Sequence, residues 1–330
     1  MRSPSLLPNA YVKEWRTMLA TGKTAGAPLS LGRPRKRKKA WHLFYIALPL
    51  MILVVLFRYV PLFGWALSLF EYHLGTPIFE NKFVGLKYFQ MILQNKDTLR
   101  VMINTIIFAL ISFATLPLPM LLAIFLNELP GRRFRKTSQT LSTLPYFISW
   151  IIVYSIAFNL FGSEGMLNQI RVLMGLKPYR LGVLTDPDSV YWFQGFLTIW
   201  KTLGWNAIIY IAALTGIDQE LYEAARVDGA GRLRCALHIT LPGLMPTFLV
   251  LMLLNVSNFV NIGFEQYFVF NNSFVFDNIE VIDLYNYRMG LQLFDYSYAT
   301  AIGILKSFIS ISMLFIANTV AKKSRGEGIV

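Results

Sequence analysis

A single cysteine, Cys235, is all the thiol in 330 residues, so an internal disulfide is impossible and a thiolate metal site is excluded. Charge is scarce as well. Charged residues make up 15% of the sequence, against roughly 25% in an ordinary soluble domain. Acidic residues are the scarcer sign, 18 Asp and Glu against 31 Lys and Arg. The three histidines, His42, His73 and His238, are scattered and show no ligand spacing. No cleavable signal peptide is expected, because residues 1–40 are polar and basic and hold no apolar core of the needed kind. A Gly-x-x-x-x-Gly-Lys-Ser/Thr loop is missing too. Lys306-Ser307 lacks the preceding glycines, so ATP hydrolysis is not expected of this chain.

Apolar residues are what the sequence has in excess. They reach 55% and gather in long runs. A membrane-spanning helix needs about 20 mostly apolar residues, and six stretches supply them: 43–64, 103–127, 138–161, 190–213, 244–264 and 298–320. The expected class is an all-α integral membrane protein with six transmembrane helices. Pro117 and Pro119 interrupt span two, where neighbouring helices can satisfy the freed backbone groups, so a kink is expected rather than a break. None of the six runs contains Asp or Glu, which disfavours a proton relay and an ion-coupled carrier. Asp186-Pro187-Asp188 mimics a metal-binding acidic pair, yet it lies beside a helix start and reads as a turn and cap.

The basic residues sit between the runs and set an orientation. Residues 1–40 carry ten, six of them in Arg33, Arg35, Lys36, Arg37, Lys38 and Lys39. Arg132, Arg133, Arg135 and Lys136 follow span two; Arg226, Arg232 and Arg234 follow span four; Lys322, Lys323 and Arg325 follow span six. That side totals twenty. The alternate connections hold eight: Lys82, Lys87, Lys96, Arg100, Arg171, Lys177, Arg180 and Arg288. The positive-inside rule places both termini in the cytosol. The chain then divides into a basic cytosolic segment, 1–40, whose run touches anionic lipid as a solvated tail, a six-span domain, 41–323, and a tail, 324–330. The outer connections are 71–102, 162–189 and 265–297. None is long enough for a separate solute-binding domain, and 84–92 in the first reads as a short interfacial amphipathic helix.

The connection between spans four and five, 216–242, is the informative one. It reads Asp218-Gln219-Glu220-Leu221-Tyr222-Glu223-Ala224-Ala225-Arg226-Val227-Asp228-Gly229, then Ala230-Gly231, and reaches Ile239-Thr240-Leu241-Pro242. Asp218 can cap a short helix and Asp228-Gly229 can end it, with Gly supplying the positive φ. A second short helix is expected over 230–239, with Pro242 where span five begins. Ala224 and Ala225 give the first helix a small face for close docking.

Glu-Ala-Ala, three residues, Gly, nine residues and Ile-x-Leu-Pro together make a pattern that resembles the cytoplasmic coupling motif of bacterial ABC-importer permeases. The likeness extends over nearly all the chain beyond residue 40. It is similar to the carbohydrate-uptake branch, above all the oligosaccharide and polysaccharide permeases of the lipoprotein-permease B type. Val84-Gly85-Leu86-Lys87, Leu144 to Trp150, Trp200 to Trp205 and Tyr296 to Gly303 carry it as well. The resemblance implies a type I importer fold in the bacterial cytoplasmic membrane and a second permease alongside. It further implies two ATPases that bind ATP-Mg and an extracytoplasmic binding protein that delivers an oligosaccharide. No cofactor is implied in this chain. Glu223, Ala224, Ala225, Asp228 and Gly229 would form the ATPase-coupling helix, with Glu223 making the charged contact. An ATP-independent sugar carrier or channel is the alternative, and a polytopic membrane enzyme the remoter one.

A passage for sugar should show amides and aromatic planes breaking apolar sequence. Spans four, five and six offer Trp205, Asn206, Asn255, Ser257, Asn258 and Asn261. Asn255, Asn258 and Asn261 recur every third residue and would share a helical face, lining the passage or bonding a neighbouring helix. Lys201 and Lys306 fall inside spans four and six. A cation at mid-bilayer costs about 3 kcal/mol unless paired or hydrated, so each should meet carboxylates or carbonyls of a second permease, or an acidic saccharide. The topology has a direct test. In a Cys235→Ala background, single cysteines placed in 162–189 or 265–297 should label from outside intact cells, and cysteines at 130–136 should not.

Overall fold

The computed structural model describes residues 41–177 and 182–325. The basic run at 33–39, Arg180 and residues 326–330 lie outside the described residues. Six stretches are long and apolar enough to cross a membrane: Phe44–Leu69, Lys96–Glu128, Trp150–Leu173, Val190–Leu214, Arg232–Ser257 and Tyr296–Thr319. Among the described residues the only extended pairing is a single bridge between Phe70 and Phe83. All-α architecture follows from the apolar runs, as expected.

The chain divides into two compact units, Met1–Tyr59 and Val60–Val330. In the first, the helix Trp41–Val54 passes into a π-helical turn, Val55–Tyr59. Its apolar side chains, Leu50, Ile52, Val54 and Phe57 among them, are exposed all round, which suits a segment solvated by lipid or covered by another protein. The second unit carries everything else.

Span two kinks as expected. The helix Lys96–Ala114 stops, Thr115 and Leu116 turn, and Pro117–Glu128 resumes. The proline rings remove two N–H donors and crowd the preceding turn, yet the Thr115 N–H still finds Ile111 O at 3.2 Å.

Span three departs from the expected 138–161. Arg132–Thr143 is a separate helix, Leu144–Phe147 is a 3₁₀ turn, and the apolar helix starts at Trp150. Pro145 breaks the backbone ladder, and the Ser149 hydroxyl caps the new helix by accepting the Ile152 N–H at 3.4 Å. Carbonyls at the break are gathered by Lys201 of span four, that of Pro145 also accepting the Ile148 N–H at 3.2 Å. Its ammonium donates to Ile148 O, to Tyr146 O at 2.9 Å and to Pro145 O at 3.4 Å. It also lies 5.8 Å from the Tyr146 ring centre and 5.3 Å from that of Trp150. Gly204 lets the two segments touch, for a Cβ there would fall 2.0 Å from the Ser142 carbonyl oxygen.

Span five also differs from the expected 244–264. No separate helix ends at 239. One helical run extends from Arg232 to Ser257, with a π-helical stretch at Ala236–Thr240. Pro242 therefore lies within the run. The widened turn just before it, with the Leu241 N–H reaching Ala236 O, absorbs the clash a proline ring brings. The run ends at Ser257: Asn258 to Val260 turn, the chain is irregular over 261–263, and Gly263 takes a φ of +102°.

The connection 265–297 is folded into the body rather than laid over it. Helices Glu265–Phe270, Phe276–Ile279 and Ile282–Tyr287 pack into apolar clusters with spans two, four and six. Glu280 is fully buried. Arg288 grips it through two bonds, at 2.7 and 3.0 Å, and Arg100 approaches at 3.4 Å. The Phe276 ring lies 5.5 Å from the Arg100 guanidinium and 5.2 Å from that of Arg288. Asn104 of span two donates to the carbonyls of Asp277 and Glu280, at 2.8 and 3.1 Å. Asp283 forms an ion pair with Lys306.

That pair corrects an expectation. The spans hold no carboxylate, so the partners of Lys201 and Lys306 were sought in a second permease or a substrate. Both are found in this chain: the carbonyls at 145–148 for one, Asp283 for the other. The pair is sheltered, with side-chain exposures of 18% for Lys306 and 22% for Asp283. Removing one member leaves an unpaired charge, so Lys306→Met or Asp283→Leu alone should lower stability by about 3–5 kcal/mol. The double variant should recover most of the loss, measured as melting of the detergent-purified complex.

Candidate functional site

The loop between spans four and five builds a short, stiff, exposed helix, Gln219–Val227. Asp218 caps its start, accepting the Glu220 N–H at 3.0 Å. Its end is a complete Schellman turn: the Ala230 N–H bonds Ala225 O at 2.8 Å and the Gly229 N–H bonds Arg226 O at 3.0 Å. Gly229 takes the required positive φ, +77°. Glu223, Ala224 and Asp228 are exposed, Ala225 is half-buried, and Glu223 makes no ion pair among the described residues. The helix is tied down behind. The Tyr222 and Thr240 hydroxyls bond at 2.9 Å, and Ile217 packs so closely on Gly243 that a Cβ there would meet it at 2.8 Å.

A cavity of about 240 Å³ opens between spans two, four and five. Asn206 lines it from span four, and Asn255, Asn258 and Asn261 from the end of span five. The three asparagines do not form the helical stripe expected of them. Asn255 is on the last turn, Asn258 caps it, and Asn261 sits in the turn beyond. The Asn255 and Asn258 amides donate back to Leu251 O and Leu254 O, at 2.9 and 3.0 Å, which leaves their oxygens to accept from a ligand hydroxyl. Span two, not span six, supplies the third wall: its kink presents Ser112, Thr115 and Pro119. Span six packs instead on span five and on the stretch Val60–Leu69. No charged side chain lines the cavity.

Four of the expected passage residues stand outside the cavity lining, Ser257 among them, its hydroxyl donating to Leu254 O at 2.7 Å. Lys201 and Lys306 are engaged as described. Trp205 stacks face to face on Tyr146, centroids 4.4 Å apart, so one of its planes is taken by the span-three joint. Sequence reasoning missed Thr198 and Thr202, which line the cavity beside Asn206. Their spacing, 198, 202 and 206, is one helical face and was the available signal. It also missed the buried amide pair that fastens the 265–270 helix to span four. The Gln266 amide donates to Gln194 Oε1 at 2.7 Å, and the Thr198 hydroxyl donates to Gln266 Oε1 at 3.0 Å.

Comparisons with known proteins show the family and the fold. The family described as "Binding-protein-dependent transport system inner membrane component" matches residues 115–326. Protein LplB of Bacillus subtilis (strain 168) is 37% identical over 311 residues, which cover 93% of this chain and 96% of the relative. The polygalacturonan/rhamnogalacturonan transport system permease protein YteP of the same organism is 36% identical, over 87% and 90%. Among solved structures, a chain of a bacterial alginate ABC transporter, crystallised with an alginate pentasaccharide-bound periplasmic protein, superposes with a TM-score of 0.80. It is 30% identical, and the match covers 88% of this chain and 96% of that one. With the family matched over most of its length and full-length relatives at this identity, the chain belongs to the binding-protein-dependent transport system inner membrane components, the membrane-spanning permease subunits of ABC importers.

Proposed function

We propose that this chain is one of two permeases in an importer that carries an acidic oligosaccharide from an extracytoplasmic binding protein into the cytosol. The observation that carries the reading is a connection along the chain. Spans four and five hold the amides of the cavity, and the exposed 219–227 helix is the rigid link between those same two spans. The substrate class is supported by the names of the similar proteins, a polygalacturonan/rhamnogalacturonan permease and an alginate transporter.

In this reading both termini are cytosolic, the membrane is the bacterial cytoplasmic one, and two partner ATPases bind ATP-Mg. Closure of the ATPases moves the helix docked on them, with Glu223 in charged contact and Ala224 and Ala225 giving a close fit. Tyr222–Thr240 and Ile217–Gly243 pass the motion to the base of span five, and the cavity opens outward. The sugar meets Asn206, Asn255, Asn258 and Asn261. With both lysines engaged inside the chain, the sugar meets amides and hydroxyls here rather than ammonium.

Coupling is tested at the helix. Glu223→Lys should abolish uptake and binding-protein-stimulated ATP hydrolysis while the membrane domain still folds. Gly229→Pro should do the same, since proline cannot adopt the positive φ and lacks the N–H bonded to Arg226. Normal transport by both variants would refute the assignment.

The cavity is tested by substrate. Asn255→Leu combined with Asn258→Leu should lower oligosaccharide uptake roughly tenfold, taking two hydrogen bonds at about 0.7 kcal/mol each, with assembly intact. Lys306→Gln should affect acidic and neutral oligosaccharides alike. Selective loss of the acidic ones would show that the ammonium reads their charge.

A further inference from the structure

A second cavity, of about 630 Å³, lies at the opposite ends of spans two and four from the 265–297 connection, against the 219–227 helix. Most of its exposed lining is polar, with a small apolar patch where Leu126 and Leu129 finish span two and Ile211 and Leu214 finish span four. Its rim is cationic. Arg135 comes from the 132–143 helix, Arg226 from the 219–227 helix and Arg232 from the first turn of span five. Glu128 is the one carboxylate in the lining, so three positive charges face one negative. No ion pair joins any of the three guanidiniums to a carboxylate among the described residues, and Arg135 donates only to Asn127 Oδ1, at 3.2 Å.

We infer that this cavity is a binding site for the headgroup of an anionic inner-leaflet phospholipid, which braces the helix that couples to the ATPase. The inference rests on the cytosolic placement of this loop. Three guanidiniums converging from three elements form planar forks matched to phosphate oxygens. The mostly polar lining suits a headgroup and its glycerol, and the small apolar patch at the ends of two spans lets the first methylenes leave toward the bilayer. Basic pockets between helices on the cytoplasmic side bind acidic headgroups for this reason.

A lipid fits better than a sugar leaving the passage. A helix turns about 100° per residue, so Ile211, Leu214 and Thr215 lie on nearly the opposite side of span four from Thr198, Thr202 and Asn206. The cavity therefore faces away from the amide-lined one. On the short helix, Gln219, Tyr222 and Arg226 form the stripe that lines it. Ala224 lies on the opposite side and Val227 is 88% exposed. A bound headgroup would hold that stripe and leave Ala224 and Val227 for the ATPase, with Glu223, one turn from Gln219, at the border between the two.

The test uses the complete importer in nanodiscs of phosphatidylcholine alone or with added phosphatidylglycerol. Wild type should retain phosphatidylglycerol through purification, seen by native mass spectrometry, and hydrolyse ATP several-fold faster in the anionic discs. Arg135→Gln with Arg232→Gln should stay assembled, retain the lipid roughly fivefold more weakly per arginine removed, and run at one rate in both discs. Lys36→Gln with Lys38→Gln, in the basic run, should behave as wild type. The proposal fails if wild type retains no phosphatidylglycerol or the double arginine variant retains as much. It also fails if inorganic phosphate in neutral discs gives the same stimulation, which would make this a free-anion site. Displacement of the lipid by an acidic oligosaccharide would make it an exit site, and release of the ATPase from the arginine variant a protein contact. An inverted topology would show separately, as external labelling of cysteines at 130–136.

Discussion

Three backbone carbonyls converge on one ammonium where Lys201 reaches the break between residues 143 and 150. In a bilayer an unpaired carbonyl has no water to turn to and costs several kcal/mol. A helix can break there only if something else supplies donors. Lys201 does so at 8% exposure, and the same contact discharges the penalty of a buried cation. Much else depends on this joint. It lets the basic 132–143 helix leave the line of span three. It places Tyr146 against Trp205, and it requires Gly204 where span four meets Ser142.

The same logic recurs at the far end of the molecule. Glu280 is fully buried between Arg288 and Arg100, and Asp283 meets Lys306. Asn104 and Thr105 of span two bond the backbone of the same segment, Thr105 accepting the Ile282 N–H at 2.9 Å. Burial also pushes the Tyr285 and Tyr267 hydroxyls above their ordinary titration range, so both stay neutral hydrogen-bonding groups. A connection that must be inserted among helices thus brings its own counter-charges. The result is a cavity without charge in its lining. Lys201 and Lys306 are both engaged within the chain, and the cavity wall between spans two, four and five is left to apolar groups, amides and hydroxyls.

Spans four and five join these parts to the exposed helix. Their shared loop is rigid at both ends, through the Asp218 cap and the Gly229 turn, and it is anchored by Tyr222 and Ile217. A π-helical stretch at 236–240 lies between that loop and Pro242.

The sequence by itself determined the class, the number of spans and the short helix. Each follows from local physics: apolar length against bilayer thickness, proline and glycine geometry, and a cap at Asp218. The kink at Pro117 and Pro119 was legible for the same reason. Tertiary structure alone decided which groups meet. The apolar residues before Trp150 read as span, because nothing local says that Lys201, more than fifty positions away, will satisfy the carbonyls of a break. Lys306 seemed partnerless because Asp283 belongs to a connection whose insertion is a matter of packing. Asn255, Asn258 and Asn261 were rightly grouped but for a helical period that ends at Ser257; turns, not one helix face, bring them together. Spacing along a chain reports neighbours on one element, whereas pairing between elements depends on how the elements pack.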